Sequence, residues 1–177
     1  VTFAFDHGVS SALSLRSGTG VDPLISLLQA VSWIGGGVRR YLLALVFALW
    51  LGWRGYKARA GAMILATALA NLASDALKDL YARARPDLVP HLDHASSAAF
   101  PSGHATSAAL IALLFALLVP TQRRGAWVGG ALAFMLLMGW SRVALGVHWP
   151  TDVMGGWLLG AALALMAWRL ALRIEAR

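Results

Sequence analysis

Eight residues between positions 78 and 152 have the types and spacing to do chemistry. Lys78, Arg85 and Arg142 are cations, and the two guanidiniums are planar forks suited to bidentate phosphate binding. Ser102, Gly103 and His104 stand where a helix begins, so free backbone N–H groups and the helix dipole attract an anion there. His148 and Asp152 are four residues apart at a second helix start. A carboxylate one turn away can accept the Nδ1 proton and leave Nε2 free to attack. His104 is another imidazole, suited to protonating a leaving alkoxide. An anion cradle, an oriented nucleophile and an acid fit phosphoryl transfer by positioning and charge stabilisation.

The elements that must hold these residues lie in a membrane. Of the 177 residues, 59% are hydrophobic and only 13% charged, against about 45–50% and about 25% in soluble domains. So few polar side chains would not cover a soluble surface. The expected architecture is all-α, a polytopic transmembrane helical bundle of one domain covering residues 1–177. Five segments are apolar enough to span: about Val38 to Trp53, Ala60 to Leu80, His104 to Leu118, Gly125 to Ala144 and Asp152 to Leu172. Residues 1–37 are expected at the interface. In 22–34, Leu24, Leu27, Leu28, Val31 and Ile34 form one helical stripe, with Asp22-Pro23 to start it and Gly35-Gly36-Gly37 to end it. Residues 4–15 form a weaker interfacial candidate.

Alternating spans bring residues 78–86, 101–104 and 141–152 to one side of the membrane. The loops on the other side carry Arg54, Lys57, Arg59, Arg123 and Arg124 with no acidic residue, and the tail carries Arg169, Arg173 and Arg177 against Glu175. That bias marks the cytoplasm, so the reactive side is expected to face the periplasm or exterior of a bacterial inner membrane. Arg39 and Arg40 fall on the reactive side and run against the bias. Because the basic residues alternate with apolar segments, the net charge of +7 does not point to nucleic acid. There is no cysteine, hence no disulfide or thiolate metal site.

Several other polar residues ask for a role. Thr67, Asn71, Ser74 and Lys78 share one helix face, with Asp75 placed to pair with Lys78. Gly156-xxx-Gly160, with Ala161 and Ala164, offers a small-residue face for close helix approach; Gly129, Gly130 and Gly139 repeat it less distinctly. His91 and His94 with Asp93 have metal-like spacing but read as a polar loop at the entrance. His7 reads as a solvated interfacial residue. Arg83 fits either a substrate contact or a surface arginine facing headgroups.

Lys78-x6-Arg85-Pro86, Pro101-Ser102-Gly103-His104 and Ser141-Arg142-x5-His148-x3-Asp152 resemble the three signature motifs of the type 2 phosphatidic acid phosphatase family, the lipid phosphate phosphatases. The resemblance implies that His148 forms a phosphohistidine, that Asp152 orients it, and that His104 protonates the departing lipid oxygen and then helps activate water. It assigns Lys78, Arg85, Ser102, Gly103 and Arg142 to the phosphate oxygens, with no metal or other cofactor. Bacterial members have six spans as a rule, against five here.

The expected partners are the bilayer and a lipid phosphate: an undecaprenyl diphosphate, phosphatidylglycerophosphate, phosphatidate or a lipid A phosphate. Two other readings compete. A headgroup binder or transporter would use the cations but has no need of His104, His148 and Asp152 together. A vanadate-dependent haloperoxidase shares the motifs but belongs to large soluble proteins.

Overall fold

The computed structural model describes residues 3–16, 18 and 22–177. Seven helices follow in order: α1 Ala4–Leu13, α2 Pro23–Gly35, α3 Arg39–Trp53, α4 Lys57–Tyr81, α5 Gly103–Leu118, α6 Arg124–Ala144 and α7 Pro150–Glu175. No strand occurs among the described residues.

Local signals set the ends. The Asp22 carboxylate accepts hydrogen bonds from Leu24 N at 2.8 Å and Ile25 N at 3.3 Å, capping α2 with Pro23 in its first turn. At the C-terminus of α5, Arg59 donates to Leu118 O at 2.8 Å, and Arg124 donates to Leu117 O. Both cations therefore satisfy carbonyls that the helix cannot satisfy itself. Arg59 is further held by Glu175 at 2.8 Å, which ties α4, α5 and α7 together at the end away from the reactive residues.

α5 is the centre of the bundle, flanked by α4, α6 and α7. Its 16 residues reach about 24 Å, short of a hydrocarbon core of about 30 Å. The shortfall is tolerable because its neighbours, and not lipid, cover most of it. Leu110, Leu114 and Leu118 pack with Phe47, Leu51, Met63 and Ala164 in the main core. α7 approaches α5 through Gly156 and Gly160. A Cβ at Gly156 would stand 2.7 Å from Ser102 O, and one at Gly160 would strike the Thr106 carbonyl. Gly139 meets Trp157 and Val153 in the same manner, whereas Gly129 and Gly130 face open space and take no part in packing.

The outer surface is apolar: Leu49, Leu72, Leu136 and Leu158 are all more than half exposed. Such a face suits acyl chains. Three helices, α4, α6 and α7, are long and apolar enough to cross a membrane, and α2 and α3 reach that length only together, across a 54° break, as a broken span or a re-entrant pair. Each of the five expected spans corresponds to a helix, α3 to α7, but α3 reaches spanning length only with α2 and the central α5 is short. The stripe expected on α2 is also rotated. Ile25, Leu28, Val31 and Ser32 are buried, while Leu24, Leu27 and Ile34 are exposed. In a lipid-facing helix apolar residues can point outward, so a polar Ser32 can be the one turned in.

Candidate active site

The eight expected residues gather at one end of α4–α7. His148 lies in the turn between α6 and α7, which closes tightly because its N–H and that of Val147 both donate to Arg142 O, at 3.3 and 3.2 Å. Gly146 in that turn has φ +73°, and a Cβ there would meet Val89 at 2.7 Å; glycine suits both demands.

His148 is 2% exposed. Its Nε2 lies 3.2 Å from Arg85 Nη1. A guanidinium can only donate, so Nε2 is the acceptor and the ring proton is on Nδ1. Nδ1 faces Asp152 Oδ2 at 3.5 Å, without a hydrogen bond. Burial first, then the charges of Arg85, Arg142 and Lys78, hold His148 well below its usual 6.5. The imidazole is therefore neutral, with its nucleophilic lone pair turned toward the cations.

Asp152 is fixed from three directions. Trp149 N donates to Oδ2 at 2.9 Å, Arg83 Nη1 donates to Oδ1 at 2.5 Å, and Asp152 O accepts from Ser102 N at 3.0 Å. Arg83, with its side chain 8% exposed, is thus neither a surface arginine nor open to substrate. It bridges Asp152 to Asp6 of α1, which accepts at 2.6 Å. Asp6 also accepts from Thr151 N at 3.0 Å and Thr151 Oγ1 at 2.8 Å. Burial pushes the Asp6 carboxyl up, but the Thr151 and Arg83 hydrogen bonds outweigh it and leave the group below its usual 3.8. His7 next to it is exposed, its ring 4.9 Å from that of Trp149.

Arg142 is 1% exposed and bound to Asp93 and Ser32, which themselves bond at 2.6 Å. Burial raises Asp93, yet the Ser32 hydrogen bond and the Arg142 charge bring it below 3.8. Asp93 is therefore the anchor of Arg142. His91 turns away, its Nε2 2.8 Å from Pro86 O, and no metal-binding cluster occurs among the described residues.

Lys78 donates to Ser97 Oγ at 3.2 Å instead of pairing with Asp75, which accepts from Asn71 Nδ2 at 3.3 Å. Ser102 caps α5, its Oγ accepting from Ala105 N at 3.5 Å. His104 is half-buried against the α2–α3 break, where a Cβ on Gly36 would stand 2.6 Å from its Nε2. Arg83 and Arg142 are ion-paired; Lys78, Arg85 and Arg40 are not, among the described residues. Unpaired cations around the start of α5 make an anion site.

Residues 59–175 match the PAP2 superfamily. The chain belongs to this family. Phosphatidylglycerophosphatase B of Bacillus subtilis is 38% identical over 109 residues, 57% of this chain and 52% of its own. The provisionally named undecaprenyl-diphosphatase YbjG of Escherichia coli K12 is 34% identical over 131 residues, 71% of this chain and 63% of its own. A solved structure, the transmembrane PAP2-type phosphatidylglycerolphosphate phosphatase of Bacillus subtilis, superposes with a TM-score of 0.84 at 29% identity. It covers 96% of this chain and 85% of that one. The chain spans about half the length of the curated relatives it matches. This PAP2 chain is a multi-pass membrane protein. Sequence reasoning missed Asp6, Ser32 and Arg40 at its site; all three precede the matched stretch.

Proposed function

We propose that the protein is a lipid phosphatase, hydrolysing a phosphate monoester or diphosphate carried on a membrane lipid through a phosphohistidine on His148. The observation that carries this reading is the Arg85–His148 contact: a buried, neutral imidazole presents its lone pair to a guanidinium that donates otherwise to the Ser97 and Val147 carbonyls and has no carboxylate partner among the described residues. A substrate phosphate draws Arg85 onto its own oxygens and exposes Nε2.

The steps then follow. Nε2 attacks phosphorus, the bond from phosphorus to the lipid-side oxygen breaks with its electron pair, and that oxygen takes the proton that His104 carries as an imidazolium beside the negative charge of the bound phosphate. Water next attacks the phosphohistidine with His104 accepting its proton, the P–N bond breaks, and inorganic phosphate leaves. Lys78, Arg85, Arg142 and the amides at Ser102–His104 hold the phosphate oxygens, and Asp152 supports the imidazolium charge as it forms. No metal is required. Phosphatidylglycerophosphate, a prenyl diphosphate, phosphatidate and a lipid A phosphate are the candidate substrates, approached from the periplasmic or outer face.

Phosphate release over that panel, in detergent or bilayers, tests the reading. Wild type should turn over at least one lipid, with or without EDTA, and form an acid-labile phosphoenzyme. His148→Ala should do neither while remaining folded; undiminished release by that variant would sink the assignment.

A further inference from the structure

Arg40 belongs to none of the three motifs, yet it enters the anion site from the first turn of α3. Its Nη1 lies 3.3 Å from where a Cβ on Gly103 would stand, and Lys78 Nζ lies 3.7 Å from the same point. Two cations without carboxylate partners among the described residues therefore flank the start of α5 on the side of α3 and α4.

The guanidinium is loosely held. Nη1 reaches Gly103 O and Ser107 Oγ only at 3.5 and 3.4 Å, Nη2 reaches Asn71 Oδ1 at 3.4 Å and Tyr41 Oη at 2.8 Å, and the buried Nε has no partner. The polar cavity beneath, lined by Asn71, Ser74 and Thr106, has a volume of about 20 Å³. That is room for a water molecule and not for a phosphate. An anion must therefore bind above it, at Gly103 between Arg40 and Lys78.

An apolar groove also leads to Arg40. A small cavity lined by Arg40, Leu43, Ser107, Ile111 and Phe134 shares Leu43, Ile111 and Phe134 with an open groove of about 730 Å³ between α3, α5 and α6. Phe47, Phe115 and Trp127 continue that groove into the bundle. Arg40 thus stands where a hydrocarbon lining meets the cationic mouth.

We propose that Arg40 binds the lipid-side phosphate of a diphosphate lipid whose tail lies in the α3–α5–α6 groove. Resting on the lipid-phosphatase reading, this names the substrate class. The terminal phosphate meets His148 and Arg85. The phosphate attached to the tail, being nearer the hydrocarbon, meets Arg40, with Lys78 between the two phosphates, and departs as a lipid monophosphate.

The test compares wild type with Arg40→Gln and Arg40→Lys, each checked by thermal unfolding. One charge-assisted hydrogen bond is worth about 1.5–3 kcal/mol, so Arg40→Gln should lower kcat/KM on a prenyl diphosphate by about tenfold or more. On phosphatidate the change should stay within about threefold, and Arg40→Lys should fall between. An equal loss on both lipids, or no loss on either, overturns the proposal. Binding separates this outcome from failure of the phosphatase reading. In a His148→Ala background, where turnover is irrelevant, Arg40→Gln should weaken inorganic pyrophosphate binding about tenfold and leave orthophosphate unchanged. Equal pyrophosphate affinity with and without Arg40, or no pyrophosphate binding, overturns it even if no lipid is hydrolysed. For the groove, Gly130→Leu adds bulk where a Cβ meets nothing. It should raise KM for a long-tailed diphosphate and spare pyrophosphate binding; an unchanged KM removes the tail from this groove.

Discussion

The Asp6 carboxylate, fully buried, accepts a 2.6 Å hydrogen bond from Arg83. Arg83 holds Asp152 with its other amino group, and Asp152 faces the His148 imidazole at 3.5 Å, so two intermediaries lie between α1 and that ring. Removing one member of a buried ion pair costs about 3–5 kcal/mol. We expect Asp6→Ala to lower stability by about that amount, read by thermal unfolding in detergent, and to lower kcat more than it raises KM. Asp6→Glu should recover part of both. An unaltered kcat in a folded Asp6→Ala protein would confine Asp6 to a structural role.

The same carboxylate gives a pH signature. Its folded pKa is below 3.8, so its stabilisation is present above 3.8 and is lost as pH falls through the folded value. Asp93 adds to this in the same direction. Unfolding temperature should therefore be insensitive to these groups near neutrality and drop below about pH 4. Asp6→Asn should flatten that drop in part.

His148 predicts the acid limb of activity. Burial and the neighbouring cations hold it well below 6.5, so kcat/KM should not decline through 6.5 on its account as pH falls. Arg85→Gln removes the largest neighbouring charge on the ring and should move the limb upward, besides lowering the rate. A limb that stays in place would argue that another group controls it.

Arg142 is oriented by Asp93 and Ser32. Asp93→Ala leaves a buried guanidinium without its carboxylate, and kcat/KM for any lipid phosphate should fall about tenfold or more. Ser32→Ala, which removes a neutral partner, should cost less, about 1 kcal/mol in stability or transition-state binding.

Gly156 couples helix packing to the site. A Cβ there would stand 2.7 Å from the Ser102 carbonyl oxygen, so Gly156→Ala must push α7 away from the residue that caps α5. Overpacking of this kind costs about 1–3 kcal/mol. Activity should fall along with stability, whereas Gly129→Ala, facing open space, should change neither.

The gathering of the eight expected residues was legible in the sequence because they come in short runs at helix ends, where spacing alone places them. Lys78 through Asp152 needed only the alternation of spans to arrive together. Asp6, Ser32 and Arg40 were not legible in that way. Each lies in a helix start or an apolar stripe outside the three motifs, and a partner of each lies 77, 61 and 63 positions away. One signal was present: Arg39 and Arg40 ran against the charge bias of the other loops, and Arg40 turns inward to the anion site. The stripe on α2 misled for a related reason. Periodicity finds the apolar face, and in a bilayer that face can point outward.

The placement of Asp6, Ser32 and Arg40 ahead of residue 59 separates two kinds of inheritance. The eight expected site residues and two of their braces, Arg83 and Asp93, lie in the stretch that matches the family, while Asp6, Ser32 and Arg40 come from the three helices before it. Grafting residues 1–41 of one relative onto the shared stretch of another should then carry headgroup preference with it and leave the reaction as it was.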